Sequence, residues 1–219
     1  MMDLADATLD ELRDALAPAV AANAAFDGWN ESALIVAADA RGVDHDVARL
    51  AFKGGAMTMI DAWFASVDRD MTARFTPEQL AAMKIRARIT ALVEARLDIL
   101  AGNREALRRA AAILAMPQNA VRAAKLGWRS ADVMWRLAGD TATDYNHYTK
   151  RGLLGSIYAA TIAVFLQDES EGHADTRAFL GRRIEGIMKF EKAKAGFLAR
   201  TSHRPSLSRF IGRLRYPVV

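Results

Sequence analysis

The 219-residue chain contains no cysteine, which excludes disulfides, thiolate metal sites and a cysteine nucleophile and fits a reducing compartment. Its four histidines, at 45, 147, 173 and 203, are scattered. None has the spacing to acidic residues that gives a zinc or di-iron site its convergent ligands. There is no G-x-G-x-x-G turn, no Walker loop and no G-x-S-x-G elbow. Prenyl-diphosphate chemistry lacks its Asp-rich metal motifs, for which Asp68-Arg69-Asp70 alone is too little. Period-2 apolar alternation, the mark of strands, is nearly missing. No apolar run approaches the roughly 20 residues that a membrane span needs. The opening residues are acidic (Asp3, Asp6, Asp10, Glu11), which argues against a signal peptide and against an Arg-rich, acid-poor transit peptide.

What is present is helical periodicity and a charge gradient. Hydrophobic residues make up 52% of the chain, enough for one large domain or a domain with a small N-terminal subdomain. The net charge of +4 hides 13 acids against 5 bases over residues 1–70, and 10 bases against 2 acids over 182–219. A chain polarised in this way points to a polarised partner surface, with the basic end facing anionic lipid or nucleic acid.

Apolar residues at 3.6-residue spacing predict helices over Thr8 to Asn23, from Asn30, after Gly42 with Asp44 as N-cap, and over Met57 to Met71. Thr76-Pro77-Glu78-Gln79 reads as a capping box with Pro at the first helical position. It is expected to open one long helix with Ile85, Ile89, Leu92, Val93 and Leu100 on a single face. Further helices are expected over Asn103 to Leu114, Asn119 to Ala138, from a cap at Asp140 or Thr141 through Phe165, and over Ala174 to Arg200. Glu94 and Asp98 read as a solvated face or as ion-pair partners of Arg86, Arg88 or Arg96. Met83, Met116, Trp128, Met134 and Trp135 suit irregular cavities, but packed core is the first reading.

Two segments carry functional signals. In residues 206–216, Leu207, Phe210, Ile211 and Leu214 share one helical stripe, with Arg209, Arg213 and Arg215 off it. A basic amphipathic helix reads as a membrane-surface element. Each Arg contributes roughly 1 kcal/mol near an anionic surface, and each large apolar side chain at most about 1.5–3 kcal/mol when fully buried. The pattern equally allows a helix docked on its own domain or on a sister subunit. Residues 8–52 resemble a helix-turn-helix unit. Its presumed recognition helix, Asp44-His45-Asp46-Val47-Ala48-Arg49-Leu50, offers two acids and one Arg, so repulsion from phosphate dominates.

The densest polar block is GDTATDYNHYTKRGLLGSIYAAT, from Gly139 to Thr161. It crowds Asp144, Asn146, His147, Tyr148, Lys150 and Arg151 into the start of an apolar helix. This run, with Leu114-Ala115-Met116-Pro117-Gln118-Asn119, Trp135-Arg136-Leu137-Ala138-Gly139-Asp140 and Ala91-Leu92-Val93-Glu94-Ala95-Arg96-Leu97, resembles the lipid-binding accessory family of coenzyme Q (ubiquinone) biosynthesis. These proteins have a TetR-regulator-like fold and are also called rpsU-divergently transcribed proteins in bacteria. The resemblance implies an all-α bundle: a degenerate helix-turn-helix-like subdomain over 1–55, a lipid-binding and dimerisation domain over 56–200, and an amphipathic C-terminal helix over 201–219.

The resemblance further implies a non-enzymatic homodimer without cofactor. Such a protein binds isoprenoid quinone intermediates, or phospholipid, and presents its lipid to a demethoxyubiquinone hydroxylase at an anionic membrane surface. As a bacterial member it would act from the cytoplasm, peripheral to the inner membrane, and would not bind nucleic acid. Candidate pocket residues are Met134, Leu153, Leu154, Ile157 and Tyr158. The hydroxylase-docking patch matches at Asp132, Asp144 and Tyr148, with His147 where several relatives carry Trp. Membrane contact falls to Leu207, Arg209, Phe210, Ile211, Arg213 and Leu214. The alternative function on the same fold is a ligand-responsive TetR-type regulator.

Overall fold

In a computed structural model the chain is described over residues 6–141 and 145–202, with residues 145, 146, 188 and 190–202 as backbone only. Every regular element among the described residues is helical: α1 (Leu9–Asp27), α2 (Glu31–Asp39), α3 (His45–Ala51), α4 (Ala56–Ala73), α5 (Pro77–Ala81), α6 (Ile85–Ala101), α7 (Arg104–Leu114), α8 (Ala120–Leu137), α9 (Tyr145–Phe165) and α10 (Ala174–Ser202). Short 3-10 turns at Pro117–Asn119 and Glu171–His173 precede α8 and α10.

The helix starts follow local side-chain chemistry. Thr8 and Glu11 form a capping box at α1, and the Asn30 side chain accepts from Ala33 N–H at α2. Asp44 accepts from the amides of Asp46 and Val47 at α3. Each satisfies amide groups that the first helical turn leaves without partners. Gly28, at φ +85°, closes α1 four residues beyond the boundary expected from periodicity.

One expected element divides in two. The Thr76/Gln79 capping box is present, but its helix ends at Ala81, and Lys84 is extended before α6 begins. Arg88 explains how the break is held. Its guanidinium donates to the carbonyls of Met83 (2.9 Å), Ala81 (3.1 Å) and Ala138 (2.8 Å), so one cation ties the broken turn to the end of α8. Ile85, at the start of α6, is 38% exposed and not part of the buried stripe, which runs through Ile89, Leu92, Val93, Leu97 and Leu100. Arg88→Ala is expected to cost about 1–3 kcal/mol, the range for losing hydrogen bonds from a charged donor. Urea denaturation, together with faster amide exchange at residues 83–85, checks this.

The described residues up to Leu180 form one compact unit, and α10 from Gly181 onward forms a second. In the first unit, α1 packs against α2, α3, α4 and α7. Trp29, which follows α1, links α4 and α7. Its ring lies 5.3 Å from that of Trp63 on α4, and its indole N–H donates to Ala106 O on α7 at 2.9 Å. At the far end of the unit, Arg104 and Arg108 of α7 donate to the carbonyls of Asp168 and Leu166, which follow α9. Cations placed there complement the negative end of the helix dipole. The second unit carries an i,i+4 pair, Lys189 with Glu185 at 2.9 Å.

Candidate functional site

Four helices of the first unit enclose a cleft of about 360 Å³. Phe64 of α4 lines it, with Leu107, Ala111 and Leu114 of α7, Ala123, Leu126 and Gly127 of α8, and Gly155, Tyr158, Ala159 and Ile162 of α9; Ala115 completes the wall. Small residues shape it. Gly127 and Ala131 on α8 meet Gly155 on α9, where an added Cβ would come within 3.6 Å of Gly127 O. The two helices therefore approach closely at their crossing, and the bulky side chains of α7 and α4 form the opposite wall.

Among these lining residues Tyr158 alone has a polar side-chain group, and it joins the apolar wall to a buried polar cluster. Arg96, on α6, is wholly buried and ion-paired with Asp68 of α4. It donates to Ser130 Oγ at 3.0 Å, and its guanidinium carbon lies 4.9 Å from the centre of the Tyr158 ring. Burial works against the Arg96 charge, but the neighbouring Tyr158 and Asp68 outweigh it and leave its pKa raised. Burial pushes the Tyr158 phenol up, partly opposed by Arg96. Arg129 Nε stands 3.4 Å from Asp68 Oδ2 and reaches Asp61 with both terminal nitrogens. Four atoms here are buried without a hydrogen-bond partner: Tyr158 Oη, Arg96 Nε, Arg129 Nε and Asp68 Oδ2.

The polar block singled out in the sequence forms a second, distinct feature. Arg151, 2% exposed, donates to Asp132 at 2.5 Å, to Asp140 at 3.0 Å and to the carbonyl of His147 at 3.2 Å. Lys150 donates to the other oxygen of Asp140 at 2.6 Å, and Trp135 N–H donates to Lys150 O at 3.0 Å. Arg136 holds the second oxygen of Asp132 at 2.9 Å. The first turns of α9 are thereby clamped onto the end of α8. Asp140, expected as a helix cap, thus spends its carboxylate on Lys150 and Arg151. Outside the clamp, Tyr148 is 63% exposed, with its ring 5.9 Å from Trp128 and 5.2 Å from His147.

The candidate residues are therefore spread over several places. Tyr158 lines the cleft, Met134 and Leu154 are buried in the core, and Leu153 and Ile157 are half-buried. Asp132 belongs to the clamp, and Tyr148 is the exposed member of the aromatic group beside it. Asp144, Leu207, Arg209, Phe210, Ile211, Arg213 and Leu214 lie outside the described residues. Glu94 and Asp98 both pair with Arg177 of α10, not with Arg86, Arg88 or Arg96. The pairing of Arg96 with Asp68 was missed in the sequence, although a signal was there. Arg96 sits at an apolar position of the repeat Leu92, Arg96, Leu100. Among the described residues no cluster of His, Asp and Glu could hold a metal, and no helix is long and apolar enough to cross a membrane.

The architecture is that of the TetR-like all-α class. A solved TetR transcriptional regulator from Nitrosomonas europaea superposes with a TM-score of 0.63 at 26% identity, covering 80% of this chain and 97% of that one. Within that class, residues 120–191, which hold the clamp and the cleft faces of α8 and α9, match the COQ9 family. The likeness to the coenzyme Q accessory family read from the sequence is thus a likeness to COQ9.

The relatives agree. The mitochondrial ubiquinone biosynthesis protein COQ9 of Rattus norvegicus is 43% identical over 96 residues, 44% of this chain and 31% of the rat protein. The Homo sapiens protein is 41% identical over 96 residues, 44% of this chain and 30% of the human one. The Drosophila melanogaster protein is 25% identical over 193 residues, 86% of this chain and 59% of the fly protein. The rat and human matches thus span a little under a third of those proteins' lengths.

Proposed function

We propose that this chain is a non-enzymatic lipid-binding accessory protein of ubiquinone biosynthesis. It takes up an isoprenoid quinone intermediate and presents it to the demethoxyubiquinone hydroxylase. The observation that carries this reading is the apolar cleft between α4, α7, α8 and α9. Its volume lies within the range of about 300–1,000 Å³ usual for small-molecule sites, which are mostly apolar with few polar groups. Two of its four walls come from the segment that matches COQ9. The exposed Tyr148, with the half-buried rings of Trp128 and His147 against it and the Asp132–Arg151 clamp holding it in place, is the proposed docking surface for the hydroxylase. Aromatic side chains on a rigid base suit a binding hot spot. The apolar stripe and arginines of residues 206–216 supply the proposed contact with anionic membrane, and the protein works as a homodimer, from the cytoplasm, at the inner membrane.

The likeness to the Nitrosomonas europaea transcriptional regulator favours a second reading, a ligand-responsive repressor. The charges of α3 weigh against it. Its one arginine, Arg49, is held by Glu31 and Asp46, each at 2.7 Å, and His45 faces Asp39 at 2.6 Å. No cation on α3 is left uncompensated for phosphate.

Native purification followed by mass spectrometry of the intact protein and of its organic extract tests the proposal. A prenylated quinone precursor or a co-bound phospholipid is the expected result. An empty protein overturns the lipid reading, and salt-dependent duplex binding at low micromolar protein would establish the repressor in its place.

A further inference from the structure

The mouth of the cleft bears on where its ligand comes from. Of the lining residues only Ala115 and Ala159 are exposed, so the cleft opens between the end of α7 and α9. From Ala115 the chain passes directly into the corner between α7 and α8. No residue from Ala110 through Val121 is charged. Met116 is 42% exposed and Val121 70%, and the two bracket the corner. Apolar residues scattered singly over a surface are ordinary; these stand together beside the opening of an apolar cleft.

The charge around the corner has one sign. Residues 106–131 hold five cations, Arg108, Arg109, Arg122, Lys125 and Arg129, and no acid. Arg108 and Arg109 pair with Glu105, and Arg129 pairs with Asp61. Arg122 and Lys125 are exposed, and neither side chain has a partner among the described residues. With Val121 they occupy the outer face of the first turns of α8, opposite the buried Leu126, Ser130 and Met134. Both also line a recess of about 290 Å³ against the start of α4, whose one acid, Asp61, is the carboxylate that Arg129 holds. One surface thus joins exposed apolar side chains to two uncompensated cations. That combination suits an anionic bilayer, where apolar groups enter the acyl boundary and cations meet the phosphates. A two-fold contact between copies through the same corner would bring four such cations together.

We propose that the α7–α8 corner is a bilayer contact: Met116 and Val121 enter the acyl boundary, Arg122 and Lys125 meet anionic head groups, and the mouth of the cleft is set against the membrane. This inference rests on the cleft being the lipid site. It adds a contact separate from residues 206–216, one that lets a lipid pass between bilayer and cleft without crossing water.

Because the chain has no cysteine, a single Val121→Cys carrying an environment-sensitive nitrobenzoxadiazole dye reports on the corner alone. Ser32→Cys, at an exposed position on α2, carries the same dye as a control, and thermal melts establish that both labelled full-length chains keep the fold. Each is mixed with phosphatidylcholine–phosphatidylglycerol vesicles, with and without nitroxide-bearing lipid, and flotation is measured in parallel. The Val121 dye is expected to shift to the blue and to be quenched by the nitroxide, while the Ser32 dye does neither. Flotation with a Val121 dye that stays in water overturns the corner contact and leaves membrane binding to another part of the chain. Absence of flotation overturns the corner contact and the membrane reading together. Equal shifts at both positions report insertion of the dye itself and overturn the contact as well. So does a shift without vesicles that grows with protein concentration, which assigns the corner to a contact between copies. Adding Arg122→Gln and Lys125→Gln to the Val121-labelled chain is expected to weaken partition into the anionic vesicles roughly ten- to thirtyfold, the worth of two basic residues near such a surface, and to leave partition into pure phosphatidylcholine unaltered. An unchanged partition into the anionic vesicles overturns the part given to the two cations.

Discussion

Arg96→Met is expected to lower the free energy of unfolding by about 3–5 kcal/mol, the usual cost of removing one partner from a buried ion pair. For a chain of this size that corresponds to a fall in Tm of roughly 6–20 °C, at about 2–4 °C per kcal/mol. The side chain is wholly buried between α4, α6, α8 and α9, and its loss strands the Asp68 carboxylate, itself 7% exposed. Arg129, 3.4 Å from the other carboxylate oxygen, compensates only in part because Asp61 already holds it. The loss therefore comes mainly from the abandoned charge and less from missing packing, since Met replaces most of the apolar stem.

Removing both charges makes that argument testable. In Asp68→Leu with Arg96→Met no carboxylate is left behind, and replacement of a buried pair by apolar side chains is often neutral or stabilising. Most of the lost stability is expected to return in the double variant, giving a coupling energy of at least about 2 kcal/mol in a double-mutant cycle. A loss below about 1 kcal/mol in Arg96→Met alone would mean that Asp68 is solvated or protonated in that variant. The cluster would then be a wet cavity, not a sealed pair.

Both clusters are built of charged residues on or beside helices that the sequence already placed, yet the two differ in how legible they were. The clamp lies within one short stretch of chain: Asp132, Asp140, Lys150 and Arg151 span the end of α8 and the start of α9, so their crowding shows in one dimension. The Arg96–Asp68 pair joins residues 28 apart, and only the packing of α4 against α6 brings them together. What periodicity displayed was a single arginine on an apolar stripe, without its partner. The cleft was less legible still, because alanine and glycine line most of its α8 and α9 walls. Small residues carry little hydropathy signal and matter through the helix approach they permit. Helix starts at Asp44 and Thr76 followed from capping chemistry, which is local, and those at Thr8 and Asn30 from the apolar period. The break between α5 and α6 did not, because Arg88 holds it by reaching carbonyls as distant as Ala138.

Arg151→Ala is expected to release the start of α9 from α8 and to cost about 3 kcal/mol, the low end for a broken buried pair. Asp140 keeps Lys150 and Asp132 keeps Arg136, so neither carboxylate is left wholly unpaired. The effect should be local before it is global: faster amide exchange in residues 147–152, and altered Trp128 fluorescence as the Tyr148 and His147 rings lose their fixed approach. Docking of the hydroxylase, on the proposed function, would weaken with it. Acid should produce the same release in the parent chain. Burial works against ionisation of Asp140, but hydrogen bonds from Lys150 and Arg151 prevail and hold its carboxyl below the usual range.

A carboxyl whose pKa is lower folded than unfolded contributes stability that is complete above the unfolded value, about 3.9, and lost as the pH falls through the folded one. Asp168 has the same sign, its carboxyl lowered by hydrogen bonds from Ser170 and Thr176 at the entry to α10. The parent chain should therefore lose stability steadily below about pH 4. Asp140→Asn should be less stable at pH 7 and show a shallower acid limb, with the Asp168 contribution remaining. Denaturation curves at pH 7, 5, 4 and 3 decide the matter: parallel acid limbs for the parent and Asp140→Asn would show that Asp140 carries no such linkage and that the clamp is held by Asp132 alone.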